Sequence, residues 1–338
     1  MEAANASRSH AVPAVIAIGA SAGGVEALKA LMSTLPDDLR AAVVVVLHVA
    51  EAGTSVLTSI LDRSCALPVT TGRHGEPLRP GHVFTARPGQ HLLVEDGHLA
   101  VSEGPRENGH RPAVDPLFRS VAEALGPRSI GIVLSGTRDD GTAGLARIKA
   151  RGGYAIVQDP EDALFDGMPR SAIAEVRVDA VLPIRDMAER LTLHTRALES
   201  GMPHITRDRT ELPPATDGGA TAYTCPDCGG ALWRHDDGGV ERYRCQVGHS
   251  YSLESFDVEQ ARALEAALWA AVRALQNRST LLQEMAARAS DRGHAHSARA
   301  WMRNAEESAE RAHLVRELVE QSAPRDHDVV HDEPGTAS

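Results

Sequence analysis

Ile18-Gly19-Ala20-Ser21-Ala22-Gly23-Gly24 decides how this 338-residue chain is read. An apolar run, Ala14 to Ile18, leads into it, and a helix-forming run, Val25 to Leu35, follows. The stretch is therefore a tight turn between a strand and a helix. Only Gly or Ala fits beside the serine in such a turn, so the hydroxyl is pushed out at the strand's C-terminal edge. The helix N-terminus behind it offers backbone N–H groups to a developing negative charge. Gly19-Ala20-Ser21-Ala22-Gly23 also satisfies G-x-S-x-G, the nucleophile-elbow pattern. Small-residue turns of this kind open ordinary nucleotide-binding folds as well, so the turn alone leaves both readings open.

Outward from the turn, strand-like and helix-like stretches alternate. Ala42–Leu47 is nearly unbroken and β-branched, as a strand buried on both faces should be. Ile130–Leu134, Tyr154–Gln158 and Ala180–Leu182 read as further strands. Helices are expected at Ser55–Arg63, Pro116–Leu125, Ala143–Ala150, from Ser171–Ile173, and over Ile184–Leu198. Four short extended pieces, Pro68–Thr71, His82–Thr85, His91–Glu95 and His98–Ser102, read as antiparallel hairpins added to the sheet. The repeated βα units predict an α/β fold: a doubly wound, mostly parallel sheet with helices on both faces.

Ligands of such a sheet bind outside the carboxyl ends of its strands. Ser21 follows the first strand and His48 the second. Ser135-Gly136-Thr137-Arg138-Asp139-Asp140-Gly141 follows Ile130–Leu134. A serine, a histidine and an aspartate can thus converge on one edge, which is the requirement of a nucleophile, a base and a carboxylate that orients the base. Each also has a plain structural use: Ser21 as a helix cap, His48 as a satisfied edge histidine, Asp139 and Asp140 as caps of the next helix. The chain order Ser, His, Asp differs from the Ser, Asp, His of the α/β-hydrolases and argues against a lipase-like enzyme.

Composition narrows the class. A net charge of −11 is unsuited to a phosphate-binding face, so no nucleic-acid partner is expected. With 42% hydrophobic residues the chain can bury a sizeable core. Residues 1–13 lack the apolar segment of a signal peptide, and the most apolar run, Ala41 to Leu47, is too short to span a bilayer. A cytoplasmic protein without direct membrane insertion is expected. Three of its four cysteines cluster, which suits a metal site in a reducing compartment rather than a disulfide framework.

Residues 14–198 resemble the catalytic domain of the chemotaxis protein-glutamate methylesterases, the CheB family. The resemblance rests on Ile18–Gly24, Val46-Leu-His48, Pro80-Gly-His-Val-Phe84, His110-Arg-Pro112, Val114-Asp115, Leu134-Ser-Gly136, Asp139–Leu145 and Gly167-Met-Pro-Arg170. It implies Ser21 as nucleophile, His48 as general base and Asp140, rather than Asp139, as the orienting acid. It implies hydrolysis of glutamyl methyl esters on chemoreceptor-like helical proteins, giving glutamate and methanol through an acyl-enzyme in chemotaxis-type signal transduction. No catalytic cofactor is implied. The resemblance allows the related deamidation of glutamine, and the sequence leaves it open. Ala22 stands where the family usually has threonine, and Gly136-Thr137-Arg138 where it usually has Gly-Met-Gly. As a charged loop residue, Arg138 is expected to be solvated. No receiver domain is expected, because only residues 1–13 precede the first strand.

The catalytic domain is expected over 12–198, a polar linker over 199–221, and a zinc-ribbon-like module over 222–252. In that module Cys225-Pro-Asp-Cys228 and Cys245-Gln-Val-Gly-His249 supply three thiolates and an imidazole, a tetrahedral set for structural zinc (Cys225, Cys228, Cys245, His249). His235 reads as an exposed loop residue. Over 253–321, Leu264, Leu268, Ala271, Leu275, Leu282, Met285 and Ala289 recur mostly at three- and four-residue steps. Gly293 breaks the pattern, and Trp301, Ala305, Ala312, Val315 and Leu318 resume it, as in a helical hairpin. Dimerisation or docking of a signalling partner is its default use. The tail, 322–338, reads as disordered. Two other functions stay open: a serine hydrolase of a different ester, and a non-catalytic signalling adaptor.

Overall fold

The computed structural model describes residues 14–49, 56–200 and 217–322. The expectations for 1–13, for most of the linker and for the tail after Ser322 lie outside the described residues.

The first unit, running to Glu259, is built on a seven-stranded parallel sheet. Its first half contains β1 (Ala14–Ala20), α1 (Gly24–Met32), β2 (Ala41–Leu47), α2 (Leu57–Asp62), β3 (Val69–Thr71) and β4 (His82–Thr85). A two-stranded hairpin follows, β5 (His91–Glu95) with β6 (His98–Ser102). The second half contains α3 (Val114–Leu125), β7 (Ser129–Val133), α4 (Thr142–Ala150), β8 (Tyr154–Gln158), α5 (Gly167–Glu175), β9 (Ala180–Leu182) and α6 (Ile184–Glu199). The strand order is β3-β4-β2-β1-β7-β8-β9, with β1 at the centre. Every residue of β1 and β2 is buried. Ile16, Ile18, Val43 and Val45 join the core under α1 and α6, while Val15, Ala17, Val44 and Val46 join the core under α3 and α4. Successive side chains of a strand point to opposite faces, so helices on both sides explain the unbroken apolar runs.

The expectation of added antiparallel hairpins holds for β5 and β6 only. β3 and β4 pair in parallel with each other, and β4 pairs in parallel with β2, extending the main sheet. The chain crosses over between them through residues 72–81, too short a link to read as a βα unit.

Past the parallel sheet, a four-stranded antiparallel ribbon comprises β10 (Asp217–Thr224), β11 (Ala231–Asp237), β12 (Val240–Cys245) and β13 (Ser250–Tyr251). β10 begins inside the span read as linker. Leu232, Tyr243, Tyr251 and Phe256 form the ribbon's small core. The long helix α7 (Leu253–Asp291) starts in this unit.

In the second unit, from Gln260, α7 turns back at Arg292–His294 into α8 (Ala295–Ser322). Gly293 takes φ 76°, and His294 N–H donates to the Ala289 carbonyl at 2.9 Å, a glycine-terminated helix end. Val272, Ala286, Ala289, Ala305, Ala312 and Val319 are the buried seam, and Ser279 Oγ donates across it to the Ala305 carbonyl at 2.8 Å. Leu264 and Leu318 face outward, at the open end of the hairpin, and Val272 and Val319 are buried in the seam instead. Among the described residues no helix is long and apolar enough to cross a membrane.

Candidate active site

Three strand ends meet at one edge of the sheet. β1 delivers Ser21, β2 delivers His48, and the loop after β7 delivers Asp140. β1 and β2 pair in register from Ala14↔Ala41 to Ala20↔Leu47, so Ser21 and His48 leave the sheet side by side. Ser21 N–H donates to the Ser135 carbonyl at 2.9 Å, which ties the turn to the loop carrying Asp140. Gly136 sits between them: a Cβ there would collide with Met168 Sδ and lie 2.9 Å from Ser21 Cβ.

Ser21 Oγ lies 3.1 Å from His48 Nδ1, and His48 Nε2 lies 2.6 Å from Asp140 Oδ2. A carboxylate accepts only, so Nε2 carries the proton and Nδ1 presents its lone pair to the serine. The ring is used in the opposite sense to the serine-protease template, where Nε2 faces the serine. His48 and Asp140 are buried, while Ser21 is partly exposed.

Asp140 accepts three further hydrogen bonds: from Val114 N–H at 2.7 Å, Asn108 Nδ2 at 2.9 Å and Asp115 N–H at 3.2 Å. Burial alone would raise its pKa. The His48 partner and the Val114 N–H outweigh burial and hold the carboxyl far below the usual range. Asp139 points elsewhere, accepting from Ser255 Oγ at 2.9 Å in the first turn of α7.

The roles of several residues at the site escape a reading by motif. His110 stacks on His48, with ring centroids 3.8 Å apart and planes 12° from parallel. Arg138 is not solvated. Its Nη2 donates to His110 Nε2 at 3.0 Å, its Nη1 lies 3.3 Å from Glu259 Oε1, and its side chain is 15% exposed. The backbone at Arg138 is left-handed (φ 64°), and the guanidinium turns inward to the edge of the His110 ring. Asn108 bridges the two buried carboxylates of Asp115 and Asp140. The Asn108-Gly109 pair is a turn signal, and φ 53° explains the asparagine, one of the residues that tolerates that conformation. Burial pushes Asp115 above the ordinary carboxylate range; Arg242 pulls it down and Asp140 pushes it up.

Cys225, Cys228, Cys245 and His249 place their ligand atoms within 4.8 Å of one another. Cys228 Sγ–Cys245 Sγ is 3.7 Å, Cys225 Sγ–His249 Nδ1 3.6 Å and Cys245 Sγ–His249 Nδ1 3.5 Å. Tetrahedral zinc with Zn–S near 2.3 Å and Zn–N near 2.0 Å needs edges of about 3.8 and 3.5 Å. The four residues therefore fit a zinc ion. His235 is not among them. It lies on β11 rather than in a loop, is half-buried, and is pushed down to about 4 by burial.

The CheB methylesterase family model matches residues 16–191, just over half of the chain. The chain belongs to the CheB methylesterase family. Among its relatives, a protein-glutamate methylesterase/protein-glutamine glutaminase of Geobacter metallireducens is 38% identical over 181 residues, 52% of this chain and 50% of that one. A putative enzyme of the same description from Leptospira interrogans is 39% identical over 175 residues, 52% of this chain and 91% of that one. The crystal structure of the Thermotoga maritima CheB methylesterase catalytic domain superposes with a TM-score of 0.51 at 33% identity, covering 53% of this chain and 97% of that one. The chain spans about half the length of the first curated relatives it matches. The CheB match ends before the ribbon, so Asn108 and Arg138 meet ribbon and α7 residues that lie beyond it.

Proposed function

We propose that the chain is a protein-glutamate methylesterase in which Ser21, His48 and Asp140 form the catalytic triad. The observation that carries this reading is the unbroken line from Ser21 Oγ through the His48 ring to Asp140 Oδ2, with a single permitted tautomer. His48 Nδ1 takes the Ser21 proton as Oγ attacks the carbonyl of a glutamyl methyl ester. The resulting oxyanion is held by backbone N–H groups at the N-terminus of α1. His48 gives its proton to the departing methoxide, and methanol leaves an acyl-serine. Water, deprotonated by His48, hydrolyses the acyl group, yielding glutamate and free Ser21. Asp140 stabilises the imidazolium at both stages. Glutamine enters the same cycle with ammonia as the leaving group. The substrates are methylated chemoreceptor-like helical proteins, and chemotaxis-type signalling in the cytoplasm is the setting.

The same reading divides the chain into a catalytic domain (12–198), a linker (199–216), a ribbon (217–252), a helical hairpin (253–321) and a tail (322–338). Cys225, Cys228, Cys245 and His249 would hold a structural zinc ion, which cross-links the knuckles of a module with little core of its own. The hairpin serves self-association or a signalling partner.

Methanol release from methylated receptor membranes tests the activity. Ser21→Ala should lower it by roughly ten-thousandfold or more, and a fluorophosphonate should label Ser21 and nothing else. An unchanged rate in that variant would overturn the assignment. A second reading, the same triad acting on a different ester, is favoured by Arg138, which brings a guanidinium beside His110. Labelling of Ser21 without methanol release would select it.

A further inference from the structure

We propose that the ribbon supplies Arg242 as a positioning residue for the catalytic carboxylate, acting through Asp115. The inference rests on the triad reading above.

Asp115 grips the Asp140 loop from several directions. Its backbone N–H donates to Asp140 Oδ1. Its Oδ1 accepts from Gly141 N–H at 3.1 Å and Gly144 N–H at 2.7 Å, the groups that open α4 directly after Asp140. Its Oδ2 accepts from Asn108 Nδ2 at 3.1 Å, the amide nitrogen that also donates to Asp140 Oδ1. Two buried carboxylates thus share one amide, an arrangement that requires a nearby cation if both are to stay ionised.

That cation comes from β12. Arg242 Nη1 lies 2.9 Å from Asp115 Oδ2, and the two side chains are 1% and 0% exposed. Arg119, the other cation nearby and partly exposed, is engaged by Glu107 and by Asp237 at 2.9 Å. Arg242 Nη2 adds a longer approach to Glu107 Oε2, 3.8 Å. The ribbon is fixed in place beside it: Asn108 N–H donates to the Ser250 carbonyl at 2.8 Å, and Ser252 N–H donates to Asn108 Oδ1 at 3.2 Å.

Without the guanidinium, Asp115 takes up a proton. A protonated Oδ2 faces the Asn108 N–H as a donor against a donor, and the amide must turn away. Asp140 Oδ1 then keeps only the longer bond from the Asp115 N–H, and the carboxylate is held less firmly in line with His48. The ribbon acts on the reaction through this chain of hydrogen bonds, with no residue of its own touching the substrate.

The test uses the full chain, hydrolysis of a simple activated ester, and fluorophosphonate labelling of Ser21. Arg242→Gln should lower kcat and the labelling rate at least about tenfold, with KM within about twofold of wild type, as expected when a reacting group is displaced while binding is untouched. Arg242→Lys, which keeps the charge, should recover part of the loss. In an Asn108→Ala background Arg242→Gln should cost little further, because the amide through which it acts is gone. A folded Arg242→Gln with unchanged kcat, or an undiminished loss from Arg242→Gln in the Asn108→Ala background, overturns the proposal. If Arg242→Gln is not recovered folded, Arg242→Lys and Asn108→Ala decide. A lowered kcat with KM within about twofold of wild type in both supports the proposal; an unchanged kcat in either, or failure of both to fold, overturns it. Failure of wild type to label at Ser21 would instead remove the triad reading itself.

Discussion

Two adjacent aspartates, Asp139 and Asp140, end in different environments because the loop after β7 turns between them. Asp140 faces four donors, His48 among them, and Asp139 faces a hydroxyl of α7. Asp140→Asn keeps the shape but replaces an acceptor-only group, so His48 can settle in the tautomer that turns Nδ1–H toward Ser21. We expect turnover to fall by about ten-thousandfold, the loss for this change in a related triad. Asp139→Asn keeps an acceptor for Ser255 and should leave turnover within about twofold, a surface-like effect. Parallel rate measurements on the two variants check the choice; equal losses would place the orienting acid at neither residue alone. In the sequence, the pair could be separated only by resemblance. The distinguishing partners, Asn108 and Ser255, lie far away in the chain and carry no pattern pointing to the loop.

At the scale of the element, the sheet is the most legible part of the molecule. Val43 to Val46 announces a strand buried on both faces, and β4, β5, β6, β8 and β9 have the limits that their alternation and flanking turns predict. The direction of β3 and β4 was not legible, since a three- or four-residue strand looks the same in either direction. The start of α5 at Gly167 is hidden by Pro169, which is acceptable in a first turn but reads as a break. One element carries its own pH dependence. His91 on β5 accepts from Ala113 N–H at the start of α3 through Nδ1 (3.3 Å), and its Nε2–H donates to the Pro105 carbonyl at 2.9 Å. Burial lowers its pKa from 6.5, against the pull of the Pro105 bond. As pH falls below 6.5, the unfolded chain therefore takes a proton that the fold refuses, and stability decreases through that window. Urea midpoints between about pH 7.5 and 5.5 should fall more in wild type than in His91→Asn, whose amide supplies the same donor and acceptor without titrating. Equal slopes would assign the effect to other histidines.

For the whole molecule, the ribbon is the part whose role the sequence conceals. Its ligand spacing is plain, but Val240-Glu-Arg-Tyr-Arg-Cys245 gives no sign that the first arginine is buried against a catalytic-domain carboxylate. The partner is defined by the fold, not by local pattern. We expect about one zinc ion per chain, bound by the four ligands in the manner of structural sites. Removing it with a chelator should loosen the knuckles, release Arg242 and Ser252, and slow Ser21 labelling; re-addition of zinc should restore both. Metal analysis alongside the labelling rate checks this. Loss of metal with an unaltered labelling rate would confine the ion to the ribbon's own stability.

The central place of β1 bears on how the proposed triad exchanges its amide hydrogens with deuterated water. Strands held on both sides by ladder bonds, with no solvent on either face, exchange only when the whole domain opens. Ser21 and His48 stand at the ends of two such strands, β1 and β2. The amides around Asn108, Ser250 and Ser252, which brace Asp140, belong to short bridges outside the parallel-sheet ladders and should exchange through local openings. Mass-resolved deuterium uptake should therefore divide the three residues into two kinetic classes, nucleophile and base in the slower one and the support of the acid in the faster. Any ligand that tightens the ribbon would slow the second class alone.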